Sequence, residues 1–421
     1  MKTTRQTPGG AVRRVRLALF LLVTLGAGLI GCAPAATPGA TPAPTAMLAP
    51  SATPLIITLP PPEALDSVVF SATDHSQGPE DAPVTIIHYG DFQCEPCADL
   101  ARSLAILQER YPDKVRLIWR HFPDIVAHDK APLALLGAEA AGEQGAFWPM
   151  HDLLFAEQAV WRDLSPESFR ATLVAYASTL GLDLDAFRAA LAADPTPLVE
   201  QYRLEALALD LVGIPTLLIN GQPYSGRYDT YGLDEAVRFF ALAERHFPDQ
   251  PELVIDLSKS YRAILHTEHG DVTIDLFTDR APVAVNNFVF LARAGWYNDI
   301  TFHRVLPGLF AQTGDPSGTG LGGPGYTIAD EADNGLIFDR EGLVAMASTR
   351  GVPNSAGSQF FITYGPLTPE REWNGQFTIF GIVTDGMDAI RALTPRDPQD
   401  PLRYPDPPPG DRLLSVEIIE Q

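Results

Sequence analysis

The chain has 421 residues, with 30 basic and 52 acidic side chains and a formal net charge of −22. A surface this acidic repels phosphate backbones, and no basic patch interleaved with aromatics stands against that, so no nucleic acid is expected as a partner. Three cysteines are too few for a disulfide-stapled scaffold, and the length leaves room for two ordinary domains with their own cores.

Arg13, Arg14 and Arg16 precede an apolar run from Leu17 to Ile30, of signal-peptide length and short for a membrane span. Leu29-Ile30-Gly31-Cys32 resembles a bacterial lipobox. That resemblance implies a lipoprotein signal peptide over 1–31, with Cys32 acylated and made the new N-terminus. The alternative is an uncleaved signal anchor with a chance cysteine; Arg13-Arg14 also admits a twin-arginine signal, although the flanks fit it poorly. Residues 33–62 are rich in Ala, Pro and Thr and nearly free of charge and aromatics, so they cannot bury a core. As extended chain they would reach on the order of 90 Å. Residues 32–66 are therefore expected to be a lipidated tether, and the chain an extracytoplasmic protein anchored by lipid at the outer face of the cell membrane.

Val84 to Tyr89 is β-rich and ends at Gly90-Asp91-Phe92-Gln93. Cys94-Glu95-Pro96-Cys97 follows, then a helical pattern marked by Leu100, Leu104, Ile106 and Leu107. Lys114 to His121 is an expected second strand. The period is helical from Lys130 to Asp194, broken by Gly and Pro, and a further helix is expected over Leu198 to Leu211. Gly213-Ile214-Pro215 leads a strand that is left at Asn220-Gly221, and an amphipathic helix from about Leu233 to Arg245 closes the segment. A lone C-x-x-C is open to a zinc half-site or a static disulfide, but without a second ligand pair it is a weak zinc signal.

This order of elements, with the stretches Tyr89 to Cys97, Arg120 to Asp124 and Gly145 to Phe155, resembles a thioredoxin fold of the DsbA type with a helical insertion, over residues 67–250. The resemblance implies thiol–disulfide exchange with an unidentified redox partner. A thiolate at a helix N-terminus is stabilised by unpaired N–H groups and the helix dipole, so Cys94 is expected to be the exposed attacking sulfur and Cys97 the resolving one. Ile214-Pro215 matches the family's cis-proline, which implies that both residues meet a bound substrate strand. Glu95 beside Cys94 opposes the dipole and leaves the direction of redox traffic open.

Tyr261 to Phe277 alternates like a hairpin, and Pro282 to Ala294 is expected to be a helix burying Val285, Phe288, Val289 and Ala292 on one face. Short strands with Gly-rich turns follow, and Leu413 to Ile419 is an expected closing strand. Phe302-His303-Arg304, Gln312 and Ser358-Gln359-Phe360-Phe361 are spaced as in a cyclophilin-type peptidyl-prolyl cis/trans isomerase, which residues 258–421 resemble. The resemblance implies a closed eight-stranded β-barrel and catalysis of X-Pro isomerisation without nucleophile or cofactor. By it, Arg304 hydrogen-bonds the substrate backbone and Gln312 holds the substrate carbonyl. Phe310, Phe361 and Leu309 line the proline pocket, with Ala347 and Gln359 beside the substrate backbone. Phe377 stands where the family often has His, and Trp373 sits one place from the usual Trp; both are expected to bind substrate.

His266-x-x-His269 in a strand puts the two rings on opposite faces, so no metal is expected. His121, His128 and His151 are expected to pack or cap, His303 to hold its strand by hydrogen bonds, and the Pro-rich stretch 395–409 to be a rigid surface loop. The combined expectation is a folding factor acting on unfolded or newly exported polypeptides. The alternatives are a non-catalytic surface protein that binds peptides, or an isomerase whose thioredoxin-like domain is a reductant.

Overall fold

The structure is a computed structural model that describes residues 74–367, 373–400, 402–404 and 408–421. The expected signal peptide, Cys32 and the tether lie outside the described residues. Among those residues, no helix is long and apolar enough to cross a membrane.

The first half runs β1 (His75–Gln77), β2 (Val84–Gly90), α1 (Glu95–Arg110), β3 (Val115–His121), α2 (Ala131–Gly142), α3 (Phe147–Ala156), α4 (Gln158–Trp161), α5 (Pro166–Thr179), α6 (Leu184–Leu191), α7 (Thr196–Leu207), β4 (Thr216–Ile219), β5 (Gln222–Pro223) and α8 (Thr230–Ala241), with a 3-10 turn over Leu242–Arg245. The sheet order is β1-β3-β2-β4-β5. β2 and β3 are parallel, and α1 is the crossover that a parallel pair requires. Both faces of β2 are covered, which is why its sequence is an almost unbroken apolar run. On α1 the buried residues are Cys97, Ala98, Leu100, Leu104 and Leu107, whereas Ile106 faces solvent. α7 ends at Leu207, short of the expected Leu211, because Asp210 turns into the left-handed region at φ 56°. α2 to α6 form the expected helical insertion, and Ile214-Pro215 is cis.

The second half runs β6 (Tyr261–Thr267), β7 (Gly270–Leu276), α9 (Pro282–Arg293), β8 (Ile300–Thr301), β9 (Arg304–Leu306), β10 (Phe310–Thr313), β11 (Leu343–Met346), β12 (Phe360–Thr363), β13 (Ile379–Asp385), α10 (Met387–Arg391) and β14 (Arg412–Glu420). As expected of a cyclophilin-like barrel, the strands form a curled sheet, here nine-stranded and ordered β8-β14-β6-β7-β13-β11-β12-β10-β9, without closure among the described residues. Its edge strands β8 and β9 are separated in sequence by Phe302 and His303 alone, so the sheet must curl to bring its ends together. No ladder joins those edges among the described residues. The segment before β14 takes their free backbone groups instead: Phe302 N–H donates to Asp411 O at 2.9 Å, and Val305 and Arg396 exchange hydrogen bonds at 2.7 and 3.0 Å. Inside the sheet, α9 buries the four expected residues against Phe360, Ile362 and Phe380.

Both halves fall within one compact unit. Leu242, in the turn after α8, belongs to the core of the second half, as does Ile255. Phe247 meets Phe290 edge-on and Trp296 at a tilt, with centroids 5.0 and 6.0 Å apart, and its N–H donates to Pro324 O at 2.9 Å. Arg238 on α8 donates to Ser317 O, and Arg245 to Trp296 O at 3.1 Å. The joint is therefore packed. Truncating Leu242 leaves a cavity inside the second half, at a cost of about 2–5 kcal/mol. The expected outcome for Leu242→Ala is a lower melting temperature of the isomerase-like half in calorimetry.

The first half also buries three histidines around Trp119. The His88 ring meets Trp119 edge-on at 4.8 Å, and His151 and His121 lie at 5.0 and 5.6 Å from it. Burial, aided by the charge on His151, lowers the His88 pKa to about 3. Burial also lowers His121 and His151, against the pull of Glu139 and Asp152 respectively. In the unfolded chain these rings titrate near ~6.5. Between that pH and the folded values the unfolded state binds more protons, so stability is full above the unfolded pKa and falls as pH drops. For His88 alone the slope is about 1.4 kcal/mol per pH unit, over a window from about 6.5 down to about 3. Denaturant melts from pH 7 to 4 check this: His88→Phe is expected to lower the number of protons taken up on unfolding by one, and an unchanged slope contradicts it.

Candidate functional site

The residues expected to carry prolyl chemistry come from adjacent strands in one line of register. Gln312 on β10 lies directly opposite Arg304 on β9 and Phe361 on β12, and Phe361 lies opposite Ala345 on β11. Directly opposed residues share a sheet face, so one row runs Arg304, Gln312, Phe361, Ala345. Alternation extends that face to Phe310 and Ala347 while turning Ala311, Met346, Phe360 and Ile362 to the core beneath.

Phe310, Phe361, Trp373 and Phe377 cluster on this face. Trp373 lies 5.7, 5.5 and 5.3 Å from the other three in that order. Leu309 packs against the cluster, half-buried. Phe310, Phe361, Ala347 and Gln312 are all 0% exposed, so the rings fill the pocket with one another. Arg304 is 2% exposed, with its guanidinium carbon 5.4 Å from the Phe310 ring centroid. Gln312 Nε2 donates to Gln359 Oε1 at 2.8 Å, while Gln312 Oε1 is buried with no partner among the described residues. The Gln359 side-chain Nε2 also donates to Gly320 O and Gly322 O at 3.1 and 2.8 Å, so it anchors the Gly-rich loop. Burial lowers the His303 pKa to about 4, leaving the ring neutral at pH 7.

The second centre is the Cys94–Cys97 disulfide, with Cα atoms 5.2 Å apart. Cys94 is the N-cap of α1, and its Sγ accepts the Cys97 N–H at 3.1 Å. The expectation of an exposed Cys94 is corrected: it is 3% exposed and Cys97 0%, because Phe92, Trp119 and the α3 side chains pack around them. Ile214 packs on the same cluster, just before the cis Pro215.

Several organising residues carry no periodic signal and were not foreseen. Asp91 Oδ1 accepts the Gln93 and Cys94 N–H groups at 2.9 Å, and Oδ2 accepts Asp124 N–H at 2.9 Å and His128 Nδ1–H at 2.7 Å. The bond to Asp91 raises the His128 pKa, against burial. Gln158 Nε2 donates to the carbonyls of Phe92 and Cys94 at 2.8 and 2.9 Å. Arg162 meets Glu95 at 2.9 Å, which offsets the carboxylate that the sequence set against the thiolate. An Asp three residues ahead of an N-cap cysteine is a local signal that could have pointed to Asp91; nothing in the sequence pointed to Arg162.

One group with metal-ligating atoms exists among the described residues. Glu268, His269 and Asp411 bring one ligand atom each within 4.8 Å of one another. The Asp411 carboxylate already accepts from Thr394 Oγ1 at 3.2 Å and lies 3.1 Å from His269 Nε2.

The family described as "Cyclophilin type peptidyl-prolyl cis-trans isomerase/CLD" matches residues 262–413, and the family described as "Thioredoxin" matches residues 71–238. The peptidyl-prolyl cis-trans isomerase-like 1 of Rhizopus delemar is 42% identical over 141 residues, 32% of this chain and 82% of that protein. The Na(+)/H(+) antiporter NhaA 1 of Salinispora arenicola is 41% identical over 165 residues, 39% of this chain; the chain spans only 24% of the antiporter's length. A crystal structure of a cyclophilin type peptidyl-prolyl cis-trans isomerase from Cryptosporidium parvum covers 38% of this chain and 99% of that one, at 32% identity and a TM-score of 0.34. The chain belongs to the cyclophilin-type peptidyl-prolyl cis-trans isomerase family, its cyclophilin domain following a thioredoxin-like domain.

Proposed function

We propose that this chain isomerises X-Pro peptide bonds at the Arg304–Gln312–Phe361 row and exchanges disulfides through Cys94 and Cys97. Its substrates are unfolded or newly exported polypeptides, met outside the cytoplasm while Cys32 holds the chain to the membrane by lipid. The observation that carries the isomerase reading is the shared register of Arg304, Gln312 and Phe361 beside an apolar ring cluster.

Uncatalysed X-Pro isomerisation takes roughly tens to hundreds of seconds. Speeding it requires weakening amide resonance as the bond twists, with no nucleophile and no proton shuttle. Arg304 donates to the prolyl nitrogen as it pyramidalises, and the Gln312 amide holds the substrate carbonyl. Both interactions are strongest in the twisted state, which is the condition for raising the rate rather than only binding. The rings of Phe310, Phe361 and Phe377 exclude water around the proline. A prolyl ring enters this face by displacing one of the packed aromatics.

For the cysteines, the N-cap position of Cys94 and the pairing of Glu95 with Arg162 support a stabilised thiolate and hence an oxidising disulfide. Opposing this, the Glu95–Arg162 pair is exposed and weak, which keeps the reductant reading as the second one.

In a prolyl-peptide assay, Arg304→Ala is expected to lower kcat/KM about 100-fold while the protein stays folded by circular dichroism. An unaffected rate returns the chain to a non-catalytic peptide binder. Titrated against glutathione, the Cys94–Cys97 couple is expected nearer the ~−120 mV of DsbA than the ~−270 mV of thioredoxin. A value at the thioredoxin end makes the domain a reductant.

A further inference from the structure

The segment between α10 and β14 reads in sequence as a surface loop, yet Arg396 and Asp397 within it are buried. The two backbone hydrogen bonds between Arg396 and Val305 lay this segment antiparallel against β9. That register delivers the next residue, Asp397, to the residue before Val305. Arg304 Nη2 donates to Asp397 Oδ2 at 3.0 Å, with the two side chains 3% and 2% exposed. Asp397 is itself fixed: its Oδ1 accepts the Gln399 N–H at 3.0 Å, and its carbonyl accepts the Asp400 N–H at 3.2 Å. The Arg304 guanidinium is thus gripped between a carboxylate and the Phe310 ring.

A guanidinium taken out of water needs a counter-charge beside it, and a carboxylate fixed by backbone supplies one whose direction is set in advance. The long Arg304 side chain otherwise has many rotamers, and only one plane serves a prolyl nitrogen in the row with Gln312 and Phe361. We infer that Asp397 is a positioning residue for prolyl isomerisation, acting through Arg304 and without touching substrate. This rests on the reading of Arg304 as the catalytic arginine. The stretch 396–400 is then part of the active site's supporting wall, and the backbone pairing of Arg396 with β9 sets the distance over which the carboxylate works.

A double-mutant cycle on the full chain tests it, with Asp397→Asn, Arg304→Gln and the double variant. kcat and the dissociation constant for a proline-containing peptide are measured for each, and folding is checked by thermal melts. Asp397→Asn is expected to lower kcat about tenfold or more and leave the peptide dissociation constant within about twofold. In the Arg304→Gln background the same change is expected to add no further loss, because its target is gone. An unchanged or raised kcat in Asp397→Asn overturns the inference, the raised one identifying the pair as a lock. An equal loss in both backgrounds overturns it in favour of a purely structural role. Should Asp397→Asn not fold, Asp397→Glu keeps the charge but displaces it by a methylene; a wild-type kcat there overturns the inference. If Arg304→Gln alone leaves kcat unchanged, it is the catalytic reading of Arg304 that fails.

Discussion

Asp315 is withdrawn from water, and its two oxygens take five hydrogen bonds from the loop that follows it: Ser317 N–H and Oγ–H on one, Thr319 Oγ1–H and the Gly320 and Gly322 N–H groups on the other, at 2.7–3.3 Å. An unpaired buried carboxylate is costly, so the loop is obliged to wrap around this one. Wrapping it closely demands residues without side chains. A Cβ on Gly322 would stand 2.1 Å from Asp315 Oδ1 and 2.6 Å from Leu242 Cδ2, and Gly320 has φ +80°. The wrapped loop then faces two ways. Inward, its Gly320 and Gly322 carbonyls hold Gln359, whose Oε1 holds Gln312. Outward, it meets Leu242, and its Ser317 carbonyl accepts from Arg238. The prolyl face and the domain joint are therefore two sides of one loop, and both depend on the charge in its centre.

Buried carboxylates do the same work elsewhere. Asp91 organises the backbone that presents Cys94, and Asp397 sets the Arg304 guanidinium. Glu139 is the variation on this theme. Burial pushes its carboxyl up, but hydrogen bonds from His121 and His75, each at 3.0 Å, outweigh that and hold it well below the usual range. The many acidic residues of the chain also supply internal organisers. A carboxylate can satisfy several N–H groups of an irregular loop at once, which no neutral side chain of that size does.

What was legible in the sequence follows from period and spacing. The cyclophilin resemblance brought Phe310, Gln312 and Phe361 to one site, and a helical period placed Val285 to Ala292 on one buried face. The C-x-x-C at a strand-to-helix turn placed Cys94 at a cap. The rest was illegible because it depends on contacts between distant segments with no repeat of their own. Asp397 meets Arg304 across 93 positions of chain only because Arg396 pairs with Val305, a single bridge within a Pro-rich segment. Arg162 reaches Glu95 from the end of a four-residue helix. The burial of Cys94 likewise depends on helices inserted after β3, whose packing angle leaves no mark on composition. The two end strands of the sheet were illegible for a related reason: β8 and β9 are too short to show alternation, and irregular backbone meets them.

The packed joint changes what the fusion of two domains can mean. A flexible linker would let either site search for a client held by the other, at an effective concentration set by linker length. Here Leu242, Phe247 and Ile255 bury the connection itself, so the thioredoxin-like and cyclophilin domains present their sites at a fixed separation. A client engages both together only if its cysteine and its proline are spaced to reach, or if it is extended enough to span the gap. Unfolded chains meet that condition readily and compact ones do not. Under the proposed function a packed joint favours extended clients, and the Asp315 loop, which braces both the joint and Gln312, links that joint to the prolyl site.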